Sequence, residues 1–228
     1  MKINLTDRMQ SIASMVIQGE SVADIGTDHG YIPAYLLSSD ICPSAVLSDI
    51  AKDPLERSKR TFLKYGINAD FRLGPGLDVL KEGEVSSVII AGMGGETIID
   101  ILSKDILKSH SFKRIILQPR TFCDELRLWL VNNGFKLVNY SLALEKNNIC
   151  EIYAVENGNN ITDETQVLSE FLFEQNDPLI KDFILDKLKK RSVILKNLKD
   201  SKKDQSMLIE KYHNEVEYLN KRLKELNN

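Results

Sequence analysis

From Val22 to about Glu156, short apolar and β-branched runs alternate with stretches whose apolar residues recur at helical spacing. Residues 22–25, 45–48, 70–73, 87–91 and 114–117 read as short buried strands, and residues 32–38, 54–65, 97–107 and 123–132 as the helices that separate them. This alternation predicts an α/β fold: a Rossmann-like, mostly parallel sheet with helices on both faces. Residues 135–145 and 148–155 meet at Lys146-Asn147, which leaves no room for a helix. They predict a hairpin, and so an antiparallel pair at one edge of the sheet.

After Val155 the pattern changes. Glu156-Asn157-Gly158-Asn159-Asn160 is a polar, glycine-bearing connector, and beyond it only helical spacing remains. A domain spanning residues 1–157 and a helical coiled-coil domain spanning residues 158–228 follow from that change. In the last helix Ile209, Tyr212, Val216, Leu219, Leu223 and Leu226 recur in steps of three and four, a heptad seam. Ile184, Leu188, Leu195 and Leu198 form a second seam, with Arg191 in one slot. An antiparallel hairpin turning near Asp200-Ser201 is expected, with one straight helix as the alternative. Such a seam closes within one chain or between two, so monomer and dimer both stay open.

Composition narrows the class. A chain of 228 residues with 43% hydrophobic and 28% charged residues is ordinary for a globular protein. No run approaches the ~18 apolar residues of a membrane span, and the start has no signal-peptide core. Three widely spaced cysteines, Cys42, Cys123 and Cys150, fit neither a disulfide framework nor a zinc site, so reduced cytoplasmic thiols and no metal are expected. The net charge of −3 does not advertise nucleic-acid binding. Locally, however, residues 187–203 hold eight Lys or Arg against one acid, among them Lys187, Lys189, Lys190, Arg191, Lys196 and Lys199. That segment is either a solvated face or a stripe that tracks phosphates.

The candidate chemistry starts at Asp24-Ile25-Gly26-Thr27-Asp28-His29-Gly30, where the first strand ends in a glycine bend. Ligands of such folds lie in the crevice at the carboxyl ends of the strands. A dinucleotide site would have a glycine at position 28, and a carboxylate there repels a pyrophosphate. No G-x-x-x-x-G-K-S/T sequence is present either. An acidic bend suits a nucleoside that carries positive charge, and S-adenosylmethionine, with its sulfonium and amino groups, is such a ligand. Asp49 closes the second strand twenty-three residues after Gly26, placed to accept hydrogen bonds from ribose hydroxyls or to cap the next helix. Gly74-Pro75-Gly76 makes another close turn at the third strand. Ala91-Gly92-Met93-Gly94-Gly95 offers floor space at the fourth, and Gln118-Pro119 ends the fifth with an amide that suits a polar ligand edge.

These blocks together resemble the bacterial tRNA (adenine-N1)-methyltransferases that modify the adenine at tRNA position 22. The likeness rests on Leu5-Thr6-Asp7-Arg8, on residues 23–33 with Gly-Thr-Asp-His-Gly-Tyr at their centre, and on Asp49-Ile50, Gly74-Pro75-Gly76-Leu77, Ala91-Gly92-Met93-Gly94-Gly95 and Gln118-Pro119. It runs over essentially the whole chain. It implies a class I methyltransferase fold, S-adenosylmethionine as donor and tRNA as substrate. Cofactor contacts are then expected at Asp24, Gly26, Thr27, Asp28, Gly30, Tyr31, Asp49, Ile50, Gly74, Pro75, Gly76, Leu77, Ala91 and Gly92. Substrate contacts are expected at Arg8, Met93, Gly94, Gly95, Gln118, Pro119 and the basic stripe. The family usually has an acid where this chain has Pro75, a departure that bears on a side-chain contact to the cofactor adenine and leaves backbone contacts alone.

Ring N1 of adenine has a lone pair and no charge at neutral pH, so the site needs in-line positioning and negative potential against the cationic product more than it needs a base. Asp28 and then His29 are the catalytic candidates; orienting the cofactor is the other role open to them. Tyr31 either stacks on a base or begins the helix. Two rival readings remain: a methyltransferase for a small molecule or protein, with the hairpin as a dimerisation arm, and a non-catalytic RNA-binding protein that retains the fold.

Overall fold

A computed structural model describes residues 3–159, 167–200 and 204–227. The chain divides into two compact units, Met1–Thr165 and Gln166–Asn228.

The first unit is a seven-stranded sheet in the order β3-β2-β1-β4-β5-β7-β6. Its strands are β1 (Val22–Ile25), β2 (Ala45–Asp49), β3 (Asp70–Leu73), β4 (Ser87–Met93), β5 (Arg114–Pro119), β6 (Phe135–Glu145) and β7 (Asn148–Asn157). The first five pair in parallel, and the β6–β7 hairpin adds to β5 in antiparallel register, with Leu117 opposite Tyr153. The expected mixed sheet is therefore present, and β4 and β5 each run two residues further than predicted. Val22, Leu47, Ile89 and Ile116 are fully buried, as expected for strands with helices on both faces.

Helix α1 (Asp7–Ser14) precedes the sheet, and α2 (Tyr31–Ser38), α3 (Lys52–Tyr65), α4 (Gly95–Ser103), α5 (Ile106–Ser111) and α6 (Cys123–Asn132) lie between its strands. The helix expected over 97–107 is broken in two. Asp105 turns out of helical geometry and its carboxylate caps α5 at the Lys108 amide, 3.0 Å away, as short acidic side chains do at helix starts. Helix α1 has no counterpart in the sequence reading. Thr6 caps it through the Met9 amide, and Ile12 and Ala13 bury its inner face.

The second unit holds α7 (Glu170–Glu174), α8 (Ile180–Lys199) and α9 (Ser206–Glu225). Helices α8 and α9 run antiparallel: Lys181 reaches Asn227 at 2.9 Å, while Arg191 pairs with Glu215 at 3.0 Å. The hairpin is thus the observed alternative; Ser201 of the expected turn, with Lys202 and Lys203, lies outside the described residues. Ile184 and Leu219 are fully buried on the seam, whereas Leu226 falls just past α9 and is exposed. Among the described residues, no helix is long and apolar enough to cross a membrane.

Candidate active site

The bend after β1 is tied to β2 by its backbone: the Gly26 and Thr27 amides both donate to the Ser48 carbonyl, at 2.8 and 3.0 Å. Gly26 has φ +76, a conformation that side-chain-bearing residues rarely adopt, and the Met93 methyl lies only 2.2 Å from where a Cβ would stand. Met93, expected on the substrate side, therefore touches the cofactor bend itself. Gly30 closes the turn, its amide donating to the Thr27 carbonyl, and opens α2.

Within this bend Asp24 is buried, and the Thr27 hydroxyl donates to its carboxylate at 2.7 Å. Loss of water raises its pKa to about 6, against the smaller lowering effect of Thr27. Asp28 faces solvent instead, at φ 36, and is held by a residue the sequence reading missed: Arg57 of α3 donates to its carboxylate, Nε at 2.8 Å. His29 lies 3.7 Å from the same carboxylate, and its ring stacks on Tyr31 with 5.5 Å between centroids. Both rings are partly exposed, so Asp28, His29 and Tyr31 form one cluster at the mouth of the bend. The net negative potential expected of Asp28 is reduced, because a guanidinium shares it.

At the tip of β2 one Asp49 oxygen accepts from the Ala51 amide at 2.8 Å, a local turn that fixes the carboxylate ahead of α3. The residue that caps α3 is Ala51, without a side-chain bond. Beside Asp49, Ile50 is 74% exposed and Leu73 59% exposed, an apolar surface next to an acid. A carboxylate for ribose hydroxyls, an apolar seat for a flat base and a buried acid for a cation suit S-adenosylmethionine, so the residues present fit that cofactor. Pro75 is extended and Gly76 packs against Ile101. Leu77 is buried in the core, which leaves only its backbone for any ligand.

Two substrate-side expectations are corrected. The amide of Gln118 is not presented to a ligand: the side chain is buried, donates to the Pro119 carbonyl at 2.8 Å and accepts from Arg8 at 3.1 Å. Arg8 in turn donates to Glu145 at 2.7 Å, so it ties α1 to the ends of β5 and β6. Pro119 is buried as well. Nor do Gly94 and Gly95 leave open floor. Thr121 Oγ1 lies 3.2 Å from a Cβ position on Gly94, and the Phe122 carbonyl 2.5 Å from one on Gly95. A Cβ on Gly92, by contrast, would stand 3.6 Å from the Arg120 guanidinium, an ordinary contact. Gly95→Ala is accordingly expected to destabilise the protein by about 1–3 kcal/mol through overpacking against backbone, measured by denaturant unfolding; an unchanged midpoint would refute the contact.

The basic stripe is thinner than the sequence suggests. Lys187 is 4% exposed, its ammonium 4.8 Å from the Phe183 ring centre, and is corrected to a buried position. Arg191 belongs to the seam with Glu215, and Lys190 pairs with Asp186 at 2.6 Å. Lys189, Lys196 and Lys199 remain exposed on α8. Among the described residues, no group of acids, histidines and cysteines is arranged to hold a metal.

Known proteins resemble this chain in sequence and fold. Residues 5–153 match the family described as a methyltransferase domain. The tRNA (adenine(22)-N(1))-methyltransferase of Bacillus subtilis (strain 168) is 33% identical over 159 residues, which span 69% of this chain and 67% of the relative. The solved B. subtilis m1A22 tRNA methyltransferase TrmK superposes with a TM-score of 0.84 at 25% identity, over 97% of this chain and all of the other. Streptococcus pneumoniae Sp1610, solved in complex with S-adenosyl-L-methionine, does so with a TM-score of 0.81 at 27% identity, over 96% and 100% of the two chains. A glycine bend lined by acids, at the head of a sheet of this strand order and in a chain this similar to proteins of known activity, leads to one assignment: the chain belongs to the bacterial tRNA (adenine(22)-N1)-methyltransferase family.

Proposed function

We propose that this protein transfers the methyl group of S-adenosylmethionine to N1 of the adenine at position 22 of tRNA, giving N1-methyladenosine and S-adenosylhomocysteine. The observation that carries this reading is the pairing of an acid-lined cofactor bend with a β4 tip made of Ala91-Gly92-Met93-Gly94, which has no side chain suited to receive an exocyclic amine. Asp49 holds the ribose, Ile50 and the backbone of residues 74–76 border the base, and Asp24 lies beneath the cationic end. When bound, S-adenosylmethionine supplies a methyl group activated by its sulfonium.

Adenine N1 needs no base to free its lone pair, so the protein's work is alignment. Met93 and the Gly26 bend abut, which brings the acceptor side of the crevice against the donor side. Asp28, oriented by Arg57, and His29, stacked on Tyr31, stand at the mouth and moderate the positive charge that the ring acquires.

A base-paired or stacked adenine must first leave the helix at a cost of a few kcal/mol. Lys189, Lys196 and Lys199 are placed to help offset that cost by gripping phosphates. tRNA affinity is then expected to fall steeply with salt, each lost phosphate contact removing roughly 0.7–0.9 from the slope of log K against log salt, while cofactor affinity barely changes. Filter-binding titrations over a salt series test this, and a flat tRNA response would remove the stripe from the account. Offering bulk tRNA and a metabolite extract with labelled donor separates an RNA substrate from a small one: label is expected in tRNA alone.

A further inference from the structure

The tip of β4 has no aromatic residue to stack on a base, yet an extruded adenine needs a surface to rest on. The loop joining β5 to α6, residues 120–122, offers one. It is pinned to the β4 tip by two backbone bonds, Arg120 amide to Met93 carbonyl and Gly95 amide to Thr121 carbonyl, each 2.8 Å. Behind it, the Tyr153 hydroxyl donates to the Cys123 carbonyl at 3.3 Å. Gly94 and Gly95 let the loop approach this closely, since a Cβ on either would meet Thr121 or the Phe122 backbone.

Held in this way, the loop keeps two side chains in solvent. Phe122 is 48% exposed, and its φ of +54 is a left-handed conformation that a bulky residue adopts at a free-energy cost. Local geometry at this position favours glycine over a bulky side chain. Arg120 is exposed, with its guanidinium over Gly92. Arg8, Arg57, Arg72, Arg114, Arg127, Arg191 and Arg222 each pair with an acid, whereas Arg120 and Arg60 form no ion pair among the described residues; Arg60 lies on α3, and Arg120 is the one of the two at the β4 tip. A rigid, strained, exposed aromatic beside an arginine with no acid partner matches the chemistry of a single nucleotide: a ring face for the base and a guanidinium for its phosphate.

We propose that the residue 120–122 loop receives the extruded adenosine, Phe122 stacking on the base and Arg120 binding its phosphate. This deepens, and rests on, the tRNA-methylating reading above. It also supplies from a neighbouring loop the aromatic that the β4 tip lacks.

The test compares Phe122→Gly, Phe122→Trp and Arg120→Gln in the full-length protein. Phe122→Gly should unfold at the same temperature as the parent or higher, because glycine relieves the left-handed strain. It should bind S-adenosylmethionine within about twofold of the parent, yet lose at least about tenfold in kcat/KM for tRNA. Phe122→Trp should recover most of that loss. Arg120→Gln should raise KM for tRNA with little change in kcat and should lower the salt slope by about one contact. Phe122→Gly with parental kcat/KM, or Phe122→Trp as impaired as Phe122→Gly, would overturn the proposal. A parent protein that methylates no adenine in tRNA would instead overturn the reading on which it rests.

Discussion

Asp24→Asn is expected to give a protein that, without cofactor, is more stable than the parent at neutral pH and yet binds S-adenosylmethionine at least tenfold more weakly. In the folded state the Asp24 carboxyl titrates at about 6, against an ordinary value of 3.8, because burial penalises its charged form. The folded protein therefore binds this proton more tightly than the unfolded chain does. Stability contributed by the group is present below about pH 4 and is lost as pH rises towards 6. Two pKa units at about 1.4 kcal/mol each bring the penalty at neutral pH to about 3 kcal/mol, an upper estimate of what the amide recovers. The Thr27 hydroxyl can still donate to the Asn oxygen, so the bend keeps its shape. A buried carboxylate retained at such a cost is explained if a cation seats on it. Cofactor affinity of the parent should accordingly rise as pH passes through 6, and that of the variant should stay flat. Melting temperatures and calorimetric affinities at pH 5 and pH 8 read both effects. A variant that matches the parent in both would remove Asp24 from the cofactor site.

A chain ending at Thr165, the end of the first compact unit, should bind S-adenosylmethionine within about threefold of the parent and lose at least about a hundredfold in tRNA methylation. Every proposed cofactor residue lies in that unit, which also holds the whole seven-stranded sheet. What the truncation removes is the part proposed to hold the rest of the tRNA. At about 1.4 kcal/mol per decade, a deficit of about 3 kcal/mol against the cost of extruding the base is a hundredfold. Replacing Lys189, Lys196 and Lys199 together by Gln should reproduce part of the loss and flatten the salt response, which separates charge from shape. Parental activity of the truncated chain on full-length tRNA would refute the assignment of the helical unit to substrate binding.

The central strands were legible because parallel strands buried on both faces read as apolar runs, and Val22–Ile25 falls where the pattern put it and is buried throughout; Asp70–Leu73 keeps its expected bounds but stands at the sheet edge, exposed at both ends rather than buried. The acidic bend and Asp49 were legible for a related reason: glycine and acid at fixed short spacing carry their meaning locally. What lay hidden was made across long sequence distances. No local signal joins Arg57 to Asp28, or Arg8 to Gln118 and Glu145, so Asp28 read as a lone carboxylate and Gln118 as an amide awaiting a ligand. Lys187 was a different case. Ile180, Ile184, Lys187 and Arg191 follow one another in steps of four, three and four, so the seam's own period placed both cations on its inner side. Counting charges along the chain, without assigning them to faces, concealed this. Phe122 was overlooked because it stands between a strand-ending proline and the start of a helix, where an aromatic residue reads as the edge of a core.

The central claim is met most directly by mapping the product. Unmodified tRNA transcript is incubated with the protein and methyl-labelled S-adenosylmethionine, digested, and each labelled nucleoside placed in the sequence. N1-methyladenosine at position 22 is expected, with no label in a transcript that has guanine there. Label at another position, on another atom of the base, or nowhere in the RNA would contradict the central claim.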